Sequence, residues 1–126
     1  MIIDDVRTYL IAESESFSAA TVKKAFMPDD PDDLVCLYDT GGAEPSRDIP
    51  TGDPTFQVVI RNESYESAHS LVQEIVTLLH QKRNVQLVDG GTYFYYIYLI
   101  GEPGAIGRDA KGRDEFSVNF LCKIRR

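Results

Sequence analysis

Two runs near the end of the chain, Tyr93-Phe-Tyr-Tyr-Ile-Tyr-Leu-Ile100 and Glu115-Phe-Ser-Val-Asn-Phe-Leu-Cys-Lys-Ile124, decide the fold. Both are rich in β-branched and aromatic side chains, which suit a pleated, half-buried surface. In the second run Phe116, Val118, Phe120, Cys122 and Ile124 fall on one side. Glu115, Ser117, Asn119, Lys123 and Arg125 fall on the other, broken only by Leu121. That period of two predicts a strand with one covered face. The first run divides into Tyr93, Tyr95, Ile97 and Leu99 against Phe94, Tyr96, Tyr98 and Ile100. Both sets are apolar or aromatic, so a strand here is expected to need cover on both faces. Gly101 to Asp114, punctuated by Gly and Pro and filled with charges, reads as a long hairpin loop between them.

Working back from these strands, the clearest helix runs from about residue 64 to 83. Ser64 is its expected N-cap and Glu66 lies in its first turn. Ala68, Leu71, Val72, Ile75, Val76, Leu79 and Lys82 mark a stripe at helical spacing, the signature of packing on a sheet. Asn84 is the expected left-handed cap. A short strand from Val85 to Val88 and a tight turn at Asp89-Gly-Gly91 follow.

The N-terminal half is less regular. Ile2, Ile3, Val6 and Leu10 line one side of a helix over Ile2 to Ala12. A short strand is expected within Thr21 to Met27, and Pro28-Asp-Asp-Pro-Asp-Asp33 is read as a solvated turn. The acids there lack the alternating ligands, central Gly and terminal Glu of a calcium loop. Leu34 to Tyr38 and Thr55 to Arg61 read as strands, joined by a long Gly- and Pro-rich connection from Asp39 to Pro54. The expected fold is α+β, a single domain over residues 1–126. A mostly antiparallel sheet carries the N-terminal helix and the central amphipathic helix, and ends in a long C-terminal β-hairpin.

Composition narrows the function. Of 126 residues, 13 are basic and 20 acidic, for a net charge of -7. That balance disfavours a protein gripping duplex DNA, which needs clustered cations for phosphates. The two cysteines, Cys36 and Cys122, read as buried free thiols, although spacing alone does not exclude a disulfide. Asp4 and Asp5 interrupt any secretory apolar run, and no stretch reaches the roughly 18 apolar residues of a membrane span.

Asp39-Thr40-Gly41, preceded by Leu37-Tyr38, has the form of an aspartic-protease loop, and Ala105-Ile-Gly-Arg-Asp109 resembles the second element of a retroviral-type protease. Such an enzyme needs two aspartates sharing a proton across a homodimer. The central helix occupies the place of the flap and strands that such a fold requires, so this reading is a distant alternative. His69 and His80 lie three helical turns apart and cannot share a metal. No catalytic, cofactor-binding or metal site is expected. The aromatic strand and the charged loop suggest contacts with proteins, and Tyr96, Tyr98, Arg108, Asp109, Lys111 and Arg113 are the expected interface residues. On this reading, shortening Gly104–Gly112 leaves the fold intact and impairs assembly.

The order of several segments adds a resemblance. Leu34-Val-Cys-Leu-Tyr-Asp-Thr-Gly-Gly42, Asp53-Pro-Thr-Phe-Gln-Val-Val-Ile-Arg61, Ser64-Tyr-Glu-Ser-Ala68, Gly101 to Arg113 and Glu115-Phe-Ser-Val-Asn-Phe120 resemble the small tail-terminator or minor capsid proteins of tailed bacteriophages. The resemblance implies an α+β structural protein of the virion, assembled in the host cytoplasm and placed at the head–tail junction. It implies a ring of copies, usually six, that caps the tail tube, stops its growth and joins it to a head-completion or neck protein. DNA would pass through the pore without sequence-specific binding, and no membrane is involved. A head-completion or neck protein of the same virion is the alternative within this class. A small adaptor domain with no virion role is the alternative outside it.

Overall fold

The computed structural model describes residues 2–44 and 47–125. The elements are α1 (Ile2–Glu13), β1 (Val22–Lys24), β2 (Leu34–Gly42), β3 (Thr51–Gly52), β4 (Pro54–Asn62), α2 (Tyr65–Leu79), β5 (Lys82–Gln86), β6 (Tyr93–Leu99), β7 (Gly104–Arg108) and β8 (Asp114–Arg125). They form one eight-stranded sheet ordered β1-β2-β4-β8-β6-β5, with β3 and β7 also paired to β8. The α+β class is as expected. The sheet is mixed, because β1 pairs parallel to β2 while every other pairing is antiparallel.

The 12 residues of β8 are the spine. One edge pairs with β4 and β3, the other with β6 and then β7. Its burial alternates as the sequence predicts, with Phe116, Val118, Phe120, Cys122 and Ile124 buried. Phe120 stacks on Phe56 of β4, with ring centroids 5.1 Å apart. Both helices cover this same face. Ile2, Ile3, Val6 and Leu10 of α1 and Ala68, Val72, Ile75 and Leu79 of α2 join Val35, Leu37, Phe56, Val58 and Ile60 in one core. Each large aliphatic side chain fully buried there stabilises the fold by ~1.5–3 kcal/mol before entropy is counted.

The Ser64 cap is present, its Oγ accepting the Ser67 N–H at 3.3 Å. The helix ends earlier than expected, at Leu79. Gln81 takes the left-handed conformation (φ 62), and the chain is already a strand at Lys82. Lys82 therefore belongs to β5 and not to the helical stripe. Asn84 is left-handed (φ 50), but inside β5. The imidazole of His80 fixes this exit, its Nδ1 accepting the Leu99 N–H at 3.0 Å.

The aromatic strand does not need cover on both faces. The register of β6 against β8 shifts between Phe94 and Tyr96. This bulge at Tyr95 changes the phase of the alternation. Phe94 and Ile97 both point into the core, with Leu99 packed beside them. Tyr93, Tyr95, Tyr96 and Tyr98 are left half-buried on the other face. Asn84 lies opposite Tyr95, and its left-handed backbone lets β5 follow the same kink.

Two expected loops are strands. Within Gly101–Asp114, β7 pairs with β8 from Gly104↔Ser117 to Arg108↔Asp114, leaving a short link at 101–103 and a tight turn around Asp109–Gly112. Likewise β2 extends through Asp39, Thr40 and Gly41 to Gly42, and Thr51–Gly52 form β3, which shortens the expected connection. Residues 45 and 46 of that connection lie outside the described residues. Gly42 is required by geometry: its φ is +128, and a Cβ there would sit 2.2 Å from the Asp53 carbonyl oxygen.

The thiols of Cys36 and Cys122 are buried and free. Cys122 lies in the core face of β8, whereas Cys36 alternates with the core residues Val35 and Leu37 and faces away. With β4 between their strands, no disulfide geometry is accessible to them. Burial pushes the Cys122 thiol up to about 12.

Candidate interaction surface

The expected interface residues separate into two groups at opposite ends of β8. Tyr96 and Tyr98 pair with Lys123 and Leu121 near its C-terminal end. Arg108, Asp109, Lys111 and Arg113 lie at its N-terminal end, beside Asp114. The two groups are chemically different.

At the Asp114 end, cations hold the fold together. Arg61, 4% exposed, directs its guanidinium at the loop Pro28–Asp33. Its Nε donates to the Asp32 carbonyl at 3.0 Å. Its Nη2 lies 2.7, 3.1 and 2.7 Å from the carbonyl oxygens of Pro28, Asp29 and Pro31. Arg113, 5% exposed, reaches the same loop from the hairpin turn. It donates to the Asp29 carbonyl (2.7 Å) and to the carboxylates of Asp29 (3.0 Å), Asp32 (3.2 Å) and Asp109 (2.6 Å). Lys111 also bonds Asp29. The run of acids is therefore a clamped loop and not a solvated turn. It is held on Arg61 of β4, and Leu34, Cys36 and Val59 are buried outside the helix-covered core.

Asp109 organises the turn. Its carboxylate accepts the N–H groups of Lys111 and Arg113, both at 3.0 Å, besides the Arg113 guanidinium. The Arg113 guanidinium holds the Asp109 carboxyl at about 2, well below its ordinary range. The hydrogen bond from Lys111 likewise lowers Asp29. Glu63 moves the other way, raised by its hydrogen bond to Asp32 and by the nearby carboxylates of Asp32 and Asp33. Arg108 and Lys111 are the two exposed side chains of the four, and Arg108 Nε lies 3.1 Å from Asp114 Oδ1. Arg113 is thus not a surface residue, and the hairpin tip is not a free arm. Sequence reading missed this because Arg113 and Asp29 are 84 residues apart.

At the Arg125 end, cations rest on rings. The rings of Tyr93 and Tyr95 lie 5.3 Å apart, and those of Tyr96 and Tyr98 lie 5.0 Å apart. The Arg125 guanidinium sits 4.4 Å from the Tyr93 ring and 5.8 Å from that of Tyr95. Arg83 lies over the Tyr98 ring at 5.6 Å and bonds its hydroxyl. Neither guanidinium meets a carboxylate among the described residues. Lys123 alone does, 2.9 Å from Asp53. Both helices pack on the opposite face, and none of the described elements crosses this half of the outer one. Arg83, Arg125, Tyr93 and Tyr95 belong to the surface and were not among the expected residues. The hidden signal was the bulge, since strict alternation separates the tyrosines.

The described residues do not bring the two protease-like segments together. Asp39 is laddered opposite Phe56 in β2, and Ile106 is in β7, with β4 and β8 between the two strands. Among the described residues no three His, Cys, Asp or Glu side chains could hold a metal ion. A cleft of about 470 Å³ is lined by Arg7, Lys23, Lys24, Phe26 and Pro28, and two of its three cations are engaged within the chain. Arg7 donates to the Val22 and Ala19 carbonyls, and Lys24 pairs with Asp4.

The structure is thus a two-layer α+β domain whose sheet is covered by helices on one face and carries an aromatic, cationic patch on the other. Residues 15–126 match the family described as bacteriophage tail terminator protein, and the chain belongs to that family. It is a structural component of the phage virion tail and not an enzyme. A chain from the virion of a native gene transfer agent particle has the same fold, with a TM-score of 0.74 at 12% identity, over 96% of this chain and 92% of that one. A second solved chain superposes with a TM-score of 0.56 at 15% identity, over 98% and 96% of the two lengths. No curated protein matches.

Proposed function

We propose that the protein closes the tail tube as a ring of its own copies, ends tube polymerisation and presents the surface that receives the head-side proteins. Membership of the tail terminator family carries this reading. Two features of the chain support it. A half-buried tyrosine and arginine face lies uncovered on the sheet, and aromatic residues and Arg are enriched where proteins meet. The net charge of -7 suits a pore through which DNA slides without being held. The ring is six-fold, sits at the head–tail junction, and needs neither cofactor nor metal.

Deletion of the gene tests the role. Overgrown tail tubes are the expected result. Tubes of normal length that fail to join heads would select a head-completion protein instead. Light scattering on the purified protein, alone and with purified tail tubes, tests the ring. A strict monomer in both conditions would sink it.

A further inference from the structure

The two ends of β8 are complementary. Its 12 residues, at ~3.3 Å each, separate them by on the order of 35 Å. At the Arg125 end, Arg83 and Arg125 lie on tyrosine rings and meet no carboxylate among the described residues. At the Asp114 end the imbalance is reversed. Lys111 and Arg113 are used by Asp29, Asp32 and Asp109, Arg108 by Asp114, and Arg61 by backbone carbonyls. Asp30, Glu63 and Glu66 are exposed there, with no cation at ion-pair distance among the described residues. Each end thus lacks the charge that the other has in excess.

We propose that the tyrosine–arginine face is the seat for the carboxylate-rich Asp114 end of a second copy of this chain, with Arg83 and Arg125 meeting Asp30, Glu63 and Glu66. The contact is heterologous. Such contacts do not pair two copies symmetrically; they run head to tail and close into a ring when the rotation allows. This rests on the ring reading and assigns it two faces. Guanidiniums stacked on rings are presented with few rotamers to freeze, and rim charges set partner and register. The crowding of Glu63 by Asp32 and Asp33 is also relieved when an arginine arrives.

The test uses two full-length variants. One carries Arg83→Glu and Arg125→Glu; the other carries Asp30→Lys and Glu63→Lys. Assembly is followed by light scattering over a concentration series, with purified tail tubes present and absent. Each variant alone is expected to need at least about tenfold more protein than the parent to assemble, because like charges then face each other. Their equimolar mixture is expected to recover assembly. In an alternating ring every contact is either the parental pairing or one reversed at all positions but Glu66, so recovery also shows that both variants are folded. Variants that assemble alone like the parent would overturn the proposal. So would a mixture that stays unassembled while each variant keeps the parent's thermal unfolding, since the two patches would then not meet each other. A parent that stays monomeric even on tubes removes the ring itself, and this contact with it.

Discussion

The two ends of β8 use the same side chains for opposite purposes. At the Asp114 end Arg61 and Arg113 are about 5% exposed and wrapped by carbonyls and carboxylates. At the Arg125 end Arg83 and Arg125 are exposed and lie on tyrosine rings. A guanidinium offers five donors in a rigid fork, so it can staple a loop whose carbonyls no ladder satisfies. The same flat group stacks on an aromatic ring and keeps its edge for a partner. What separates the two roles is whether acceptors from the same chain surround it. The long acidic loop supplies them at one end, and no segment among the described residues supplies them at the other.

The strongest way to break this contrast is to delete Gly104–Gly112. The deletion removes β7 with its four registered pairs to β8, and with them Asp109 and Lys111. At about 0.5–1.5 kcal/mol net per lost hydrogen bond, the loss amounts to several kcal/mol before the unclamped loop is counted. The expected outcome is a large fall in the urea midpoint, not a folded protein that fails to assemble. A deletion variant as stable as the parent would show that the hairpin is a dispensable arm.

Arg61→Gln is the next largest. It shortens a buried side chain that satisfies the carbonyls of Pro28, Asp29, Pro31 and Asp32. Bonds from a charged donor contribute roughly 1.5–3 kcal/mol, so a destabilisation of about 3 kcal/mol is expected from equilibrium unfolding. Hydrogen exchange in residues 26–33 should rise with it. Unchanged stability would mean that the loop is held by its own turns.

Acid sharpens the same difference more gently. Asp109 has a folded-state value of about 2 against an ordinary 3.8, because Arg113 bonds the ionised form. A depressed carboxylate contributes stability that is full above the unfolded value and disappears as pH falls through the folded one. The clamp therefore weakens between about pH 4 and pH 2. Asp29, also lowered, adds in the same direction. Glu63 opposes them: its value is raised, so its ionised form costs stability at neutral pH and protonation relieves that cost. The unfolding midpoint should fall below pH 4, and Asp109→Asn should remove part of that fall. An identical pH profile in the variant would show that Arg113 does not stabilise the ionised Asp109.

Most of this architecture was legible where one physical rule acted alone. Alternation in β8 and the helical stripe of α2 each reflect a single covered face, so their buried residues could be named from spacing. The α2 cap was equally local, since Ser64 bonds a group three residues away. Legibility failed where tertiary context overrode the local signal. Gly and Pro mark Gly101–Asp114 as a loop, yet β8 offered a free edge and the segment became β7. The aromatic run was misassigned because one extra residue at Tyr95 reverses every later side chain. The site suffered from both. Tyr96 and Tyr98 were found by composition, whereas Arg83 and Arg125 join them only across strands. The burial of Arg113 is not legible because, beyond the nearby Asp109, its acceptors lie 81 and 84 residues away.

The smallest expected effect on the fold is the most informative for function. Arg83→Gln with Arg125→Gln removes two guanidiniums that touch only exposed ring faces and hydroxyls. The rings stay in place, since Tyr93 to Tyr98 are held by the β6 ladder and by one another. No acceptor is left buried and unpaired, so the usual source of a large penalty is missing. The unfolding midpoint should match the parent's within error, in contrast to Arg61→Gln. A fall as large as that of Arg61→Gln would mean that this end is also a clamp, and the contrast between the two ends would collapse. If stability holds while assembly onto tail tubes weakens, then guanidiniums at opposite ends of one strand divide cleanly between holding the chain and joining it to its neighbour.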